Sequence, residues 1–542
     1  MRSMQQVLLV MILVTSIALT ACVSTQGPGK DMMDRGPGIA GSPSVSSYEM
    51  TLPDELPIAR PSQVIELADG DTYELTATKV RKEIAGQSFT MYGYNGMIPG
   101  PLFRVEKGSR VSITFMNGLD HDTTVHWHGL RGDYRSDGVP GLGQDVVRPG
   151  QSFTYDLVFP DDGIYWYHPH VREDAQQELG LAGNIFVEGL DVVAGTPDRE
   201  EFLVLDDIAI ENGAIVPFGV DAATHAVMGR YGNVLLVNGE TTYVATVPAG
   251  SVTRLYLTNV ANVRPFRITL PRARIKLVGG DSGAYARQTF VDEIVIAPGE
   301  RYVIDIFFDE PGSYELRADN PQARHLLGRF TVTPTVSVTE AAQSFTTLRE
   351  NEELLRDIAR LRTYIDGSVD RTLELDFRFS GMSGGGMMGG MMADAHDGIE
   401  WEDTMPDMAV FTSEDVEWII RDPESGAEND DLTISAQVGD IEKWRLVNVA
   451  ESDHPMQHPI HLHGQRFLVT AIDGEPVKDL VWKDVVLVPI GHTVDIVVEY
   501  TNPGEWMLHC HIAEHLETGM FAYVSVADEN GVVAQRIGEA KH

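Results

Sequence analysis

The chain runs to 542 residues, with 43% hydrophobic and 22% charged side chains, an ordinary balance for a globular protein of three or four domains. Eighty acidic residues against 41 basic ones leave a formal charge of −39. That excludes nucleic acid as a partner, because phosphates demand clustered Lys and Arg. Twenty-eight prolines and 52 glycines, spread along the chain, favour many short strands over long helices.

Arg2 precedes an apolar run, Val7 to Leu19, which closes in Leu19-Thr20-Ala21-Cys22. Charged, apolar and small-residue regions in that order form an export signal, and the run is short for a membrane span. Its ending resembles a bacterial lipoprotein signal, which implies cleavage before Cys22 and lipidation of that cysteine. Val23 stands where a retention signal would carry Asp, favouring the outer membrane. The expectation is an exported bacterial protein of the periplasm or cell envelope, held by lipid at Cys22. Cys510 is the only other cysteine, so no internal disulfide is expected.

Residues 23–50 are rich in Gly, Pro and Ser and read as a flexible tether. From there, short β-branched and aromatic runs alternate with turns. Arg110-Val-Ser-Ile-Thr-Phe, Thr253-Arg-Leu-Tyr-Leu-Thr-Asn and Glu442-Lys-Trp-Arg-Leu-Val-Asn are strands of three self-similar blocks. Pro311-Gly-Ser-Tyr-Glu-Leu and Pro503-Gly-Glu-Trp-Met-Leu repeat a second phrase. The pattern predicts an all-β chain of three consecutive sandwiches, over 51–195, 196–338 and 368–542. Between the last two, Leu348, Leu354, Leu355, Ile358 and Leu361 fall at near-helical spacing, and 339–367 is expected to be a linker helix on the surface.

Ten of the 17 histidines fall in four compact clusters: His126-Trp-His128, His168-Pro-His170, His458-Pro-Ile-His461-Leu-His463 and His509-Cys510-His511-Ile-Ala-Glu514-His515. Successive side chains on a strand point to opposite faces. His126 and His128 therefore share a face, as do His168 and His170. In the third cluster His458 opposes His461 and His463, and in the fourth Cys510 opposes His509 and His511. A thiolate, two imidazoles and a thioether (Cys510, His458, His515, Met520) are the ligand types of a blue-copper site. The other eight histidines would line one interface between the first and third domains, enough nitrogen for three copper ions.

These clusters resemble the four signature motifs of the multicopper oxidases, the laccases, ferroxidases and bacterial copper-efflux oxidases. The resemblance implies three cupredoxin-like Greek-key domains and four copper ions per chain. It gives the type 1 copper to His458, Cys510, His515 and axial Met520, and the type 2 copper to His126 and His461. One type 3 copper then takes His128, His168 and His511, the other His170, His463 and His509. The implied reaction couples four one-electron substrate oxidations to the reduction of O2 to water. Glu514 and Asp137 match acidic residues that the family uses to relay protons; Asp137 reads equally well as a turn residue before Gly138.

For the electron donor, Met382, Met387, Met388, Met391, Met392, Met405 and Met408 lie in a Gly-rich stretch, 381–408, that also holds His396. Thioethers select Cu(I), and the stretch resembles the Met-rich insert of periplasmic copper-efflux oxidases. Met456, two residues before His458, matches a substrate-copper methionine of those enzymes, but His454 stands where they carry Asp, with Asp453 beside it. The expected activity is Cu(I) oxidation in copper tolerance, with loose activity on phenols, by a monomer that binds no nucleic acid. The alternatives are a laccase-like phenol oxidase, an Fe(II) or Mn(II) oxidase, or a non-enzymatic copper-binding lipoprotein.

Overall fold

The computed structural model describes residues 56–218, 222–334, 339–379, 397–403 and 415–537. The expected export signal with Cys22 and the expected tether 23–50 lie outside the described residues. What is described is all-β: three sandwiches in succession, each of two sheets.

Alternation builds the strands that have one dry face. In Arg110–Asn117, Val111, Ile113 and Phe115 are buried while Arg110 and Met116 face out. That strand lies in a four-stranded sheet with Gln87–Tyr94, Thr72–Ile84 and Ser152–Val158. Packed against it is a five-stranded sheet ordered Val64–Leu67, Leu102–Glu106, Gly183–Glu188, Gly163–His168 and His126–His128.

The smaller sheets of the second and third sandwiches repeat one order. In the second it is Tyr243–Pro248, Arg324–Thr333, Gly312–Asp319, Phe266–Thr269 and Glu293–Ile296. In the third it is Thr433–Gln437, Phe521–Ala527, Gly504–Cys510, His458–Leu462 and Val485–Val488. Both start with a parallel pair and continue antiparallel. The histidine clusters sit at matching places in the first and third sandwiches, on an antiparallel pair. The matching strands of the second, Phe266–Thr269 and Gly312–Asp319, carry no histidine.

Gly504–Cys510 departs from alternation because all seven residues are buried. Trp506, Leu508 and Cys510 join the core of the third sandwich. Met507, on the opposite parity, packs against Val139 and Leu142 of the first. One strand thus serves two packed faces, and His509 shares the parity that looks toward the first domain.

The segment expected as one linker helix is two helices, Glu340–Ser344 and Glu352–Ile365. Asn351 caps the longer one, its Oδ1 accepting from the amides of Glu353 and Leu354. Leu354 and Leu361, seven apart on one face, are buried with Ala286, Leu468 and Trp482. Leu348 precedes that helix and is exposed.

Candidate metal centre

The fourth cluster begins on a strand and ends on a short helix, Ala513–Glu517. The helix turns His515 back toward Cys510, whose Sγ lies 3.6 Å from His515 Nδ1 and 3.6 Å from His458 Nδ1. The Cys510 amide donates to the Met520 carbonyl, and the Met520 amide to the His515 carbonyl, so Met520 is tied to both. All four side chains are buried. Trp418 stacks on His515 at 4.0 Å and meets His458 edge-on at 5.0 Å, its indole N–H donating to the Ala226 carbonyl. Burial pushes the Cys510 thiol well above its usual range. A cation that displaces the proton is the natural way to hold a thiolate there.

On the other face, the remaining eight histidines converge from the first and third domains. His126 stacks on His463 at 4.1 Å and His128 on His461 at 3.8 Å. His170 lies 5.4 Å from His509, and His168 lies 5.3 Å from His511. Sets able to hold an ion include His170, His463 and His509; His126, His461 and His463; and His126, His128 and His168. His511 reaches the last of these through His128, with Nε2 3.2 Å from His128 Nδ1.

Hydrogen bonds decide which ring nitrogens face the centre. A carbonyl oxygen only accepts, so the nitrogen facing it carries the proton. His126 Nδ1 donates to the Asp137 carbonyl, His168 Nδ1 to that of Pro169, His461 Nδ1 to that of Asp484, and His509 Nδ1 to that of Cys510. His463 Nδ1 donates to the Asp137 carboxylate at 2.9 Å. Each of these rings then turns a bare Nε2 inward. The Nε2 atoms of His126, His168, His170 and His461 are buried without a hydrogen-bond partner. His463 Nε2 and His509 Nε2 stand 2.9 Å apart. With both Nδ1 atoms donating elsewhere, neither Nε2 of the neutral rings has a hydrogen to offer the other, and a cation shared between them makes that approach favourable. His128 is reversed: its Nε2 donates to Asp484 Oδ1 at 3.0 Å, leaving Nδ1 bare. Burial pulls His458 and His509 down to about 3, so their nitrogens stay neutral and available. Neutral imidazoles, with one thiolate and one thioether on the far face, are a donor set that fits copper.

Of the two carboxylates expected to serve this chamber, Asp137 touches its histidines directly. Asp137 is buried and closes a short helical turn, Tyr134–Ser136, so its turn role and its contact with His463 coexist. The next residue, Gly138, has φ +96°, and a Cβ there would lie 2.0 Å from the Val125 carbonyl oxygen. Glu514 is buried, three residues after His511 and one before His515, its Oε1 accepting from Asn262 Nδ2 at 3.2 Å. Burial first, then Asp174, pushes it up to about 8, so it holds a proton at neutral pH.

Met382, Met387, Met388, Met391, Met392, Met405, Met408 and His396 lie outside the described residues. Met456 is fully buried in the third core. His454 is fully buried with both ring nitrogens unpartnered, 5.6 Å from Phe377 and 6.0 Å from Trp418. Trp418, Asn262, Asp484 and Arg301 were not singled out in the sequence. The one visible signal was Lys483-Asp484 interrupting the apolar run from Val481 to Val488. A buried charged pair at the break between Trp482–Lys483 and Val485–Val488 asks for partners.

Models of the multicopper oxidase family match residues 76–191, 213–342 and 401–530. A multicopper oxidase of Staphylococcus aureus is 27% identical over 84% of this chain and 88% of its own. Copper resistance protein A of Escherichia coli is 24% identical, covering 91% and 97%. A laccase of Trametes hirsuta is 27% identical, covering 87% and 92%. Among solved structures, a multi-copper oxidase from Pseudomonas thermotolerans superposes with a TM-score of 0.63 at 27% identity, covering 85% of this chain and all of that one. A laccase-like multi-copper oxidase, CueO, from Ochrobactrum sp. gives a TM-score of 0.66 at 25% identity, covering 86% and 99%. With three family matches spread across its three sandwiches, this chain belongs to the multicopper oxidases, oxidoreductases that carry copper as cofactor.

Proposed function

We propose that the chain oxidises Cu(I) at the copper site around Cys510 and reduces O2 to water in the histidine chamber. His458, Cys510, His515 and Met520 would hold the type 1 copper, and His126 with His461 the type 2 copper. His128, His168 and His511 would hold one type 3 copper, His170, His463 and His509 the other. Bound copper supplies one-electron redox chemistry at the first site and four-electron reduction of O2 at the second.

The chain's own residues do the rest. Cys510 is covalently continuous with His509 and His511, so one peptide unit on each side joins the two sites. Glu514 holds a proton at neutral pH close to the chamber and can donate it to reduced oxygen, with Asn262 fixing its orientation. Asp137 fixes the His463 and His126 rings and stands as the second proton carrier. Burial of every imidazole keeps bulk water from competing for these positions.

The observation that supports Cu(I) is the pairing of buried soft and borderline donors beside His458. Met456 offers a thioether, and His454 offers two unpartnered nitrogens in place of the carboxylate that copper-efflux oxidases carry there. The Met-rich stretch 381–408 would gather the ion. A laccase-like reading draws on the Trametes hirsuta and Ochrobactrum relatives, and phenols would then be the donors. The lipid anchor at Cys22 and a periplasmic or outer-membrane site belong to the same proposal.

Oxygen uptake with Cu(I), Fe(II), Mn(II) and a phenol, measured side by side for the whole chain and for a 381–408 deletion, tests it. Cu(I) should be the best donor and should lose most on deletion. Equal Cu(I) rates in both proteins would remove the recruitment role, and a phenol or Fe(II) preference in the whole chain would replace the substrate.

A further inference from the structure

The second domain supplies no histidine to either site, yet one of its side chains reaches the chamber wall. Arg301 opens the strand Arg301–Phe307 and is fully buried. Its guanidinium forms a two-pronged pair with Asp484 of the third domain, NH1 to Oδ1 and NH2 to Oδ2, both at 2.6 Å. Its Nε donates to the Ile164 carbonyl of the first domain at 2.9 Å, on the strand that carries His168. One side chain thus ties all three domains at one point.

Asp484 spends its remaining capacity on two histidines from different domains. Oδ1 accepts from His128 Nε2 at 3.0 Å, and its backbone carbonyl accepts from His461 Nδ1 at 2.8 Å. The carbonyl also takes the Leu462 amide, and the Asp484 amide donates to Asp281 Oδ2 at 3.3 Å. Asp281 in turn accepts the Arg301 amide at 2.7 Å, so the second domain grips Asp484 by side chain and by backbone. The rings so fixed are stacked, 3.8 Å apart and 11° from parallel.

Two glycines keep the space that this arrangement occupies. At Gly129, φ +83°, a Cβ would fall 2.5 Å from Asp484 Oδ2 and 2.7 Å from Arg301 NH2. At Gly299, φ +82°, a Cβ would fall 2.9 Å from His511 Cδ2 and 3.3 Å from His128 Cε1. A Cβ at Gly129 would collide with the pair itself, and one at Gly299 would collide with the rings of His511 and His128.

We infer that Arg301 and Asp484 are a positioning pair through which the second domain sets the tautomer and tilt of His128 and His461, and so the assembly of the histidine chamber around copper. A planar fork holds both carboxylate oxygens at once, which a single ammonium cannot do. Held that way, Asp484 keeps the proton of His128 on Nε2 and leaves Nδ1 bare, the reverse of its neighbours. Without Arg301 the buried carboxylate loses its hydrogen-bonded counter-charge and the rings lose their stop. The inference rests on the assignment of the eight histidines to copper.

The test uses the full-length, copper-loaded protein and three variants, Arg301→Lys, Asp484→Asn and Arg254→Lys. Arg254 makes a similar buried fork with Asp305 inside the second domain, away from the histidines, and reports the generic effect of losing such a pair. Copper affinity is read by competition with chelators of graded strength, the type 2 copper by its EPR signal, and the type 1 copper by its visible thiolate band. Arg301→Lys and Asp484→Asn should keep the visible band, change or lose the type 2 signal, and weaken chamber copper by about 10- to 100-fold. Arg254→Lys should lower thermal stability and leave both signals unchanged. Wild-type affinity and an unaltered type 2 signal in the first two variants would overturn the inference. So would equal loss of type 1 and type 2 copper, an equal effect from Arg254→Lys, or failure of both variants to fold. Wild-type protein with no chamber copper would instead overturn the histidine assignment itself.

Discussion

His461 and His509 lie directly opposite one another on neighbouring antiparallel strands, and Ile460 lies opposite Cys510 one rung along. Cross-strand partners share a face, and the next rung takes the other face. His461 and His509 therefore look toward the first domain while Ile460 and Cys510 look into the third core. His458, two residues before Ile460, joins Cys510. The separation of two metal-binding faces is a matter of register, since a slip of one residue would exchange them.

Glu514→Gln should slow turnover by about 100-fold, the size of effect expected when a proton donor is lost. The amide keeps the bond to Asn262 but carries no transferable proton. Copper content and anaerobic bleaching of the visible band by reductant should match the wild type. An unchanged rate of O2 uptake would remove Glu514 from the proton path.

Gly464→Ala should destabilise the fold by about 2 kcal/mol or more, because left-handed backbone and a steric clash combine. Gly464 has φ +62°, and a Cβ would stand 2.2 Å from Trp506 Cε3. Trp506 is buried in the third core and has nowhere to move. Denaturant unfolding reads the effect, and a midpoint equal to the wild type would contradict it.

The stability advantage of the copper-free wild type over Glu178→Gln should fall as pH rises from about 4.5 to 7. Burial outweighs Arg230, 3.2 Å away, and pushes Glu178 up to about 7. An acid whose folded pKa is raised gives stability that is complete below its unfolded value near 4.5 and lost as pH climbs through the folded value. The shift corresponds to roughly 3 kcal/mol. Unfolding free energies of wild type and Glu178→Gln across this range should differ in slope by that amount; parallel curves would refute it.

How much of this could be read from residue order follows from the reach of each signal. Parity within His461–His463 and His509–His511 is local, so two faces could be told apart from spacing alone. The fork between Arg301 and Asp484 joins positions 183 apart, and Asp484 meets His128 across 356 residues. No periodicity reports such a meeting. Trp418 reads as one more apolar residue in Val416–Arg421, and only the fold brings it onto His515. The linker pattern extended to Leu348, yet Asn351 caps the helix later, because side-chain oxygen satisfies the free amides there.

The claim at the centre is that the strand ending at Cys510 serves two copper sites at once. Cys510→Ser, loaded with copper and compared with the wild type, tests it most directly. The variant should lose the intense visible thiolate-to-copper absorption and its turnover with every donor, while keeping chamber copper with an unaltered type 2 EPR signal. A visible band that survives the substitution, or a type 2 signal lost together with it, would contradict the account.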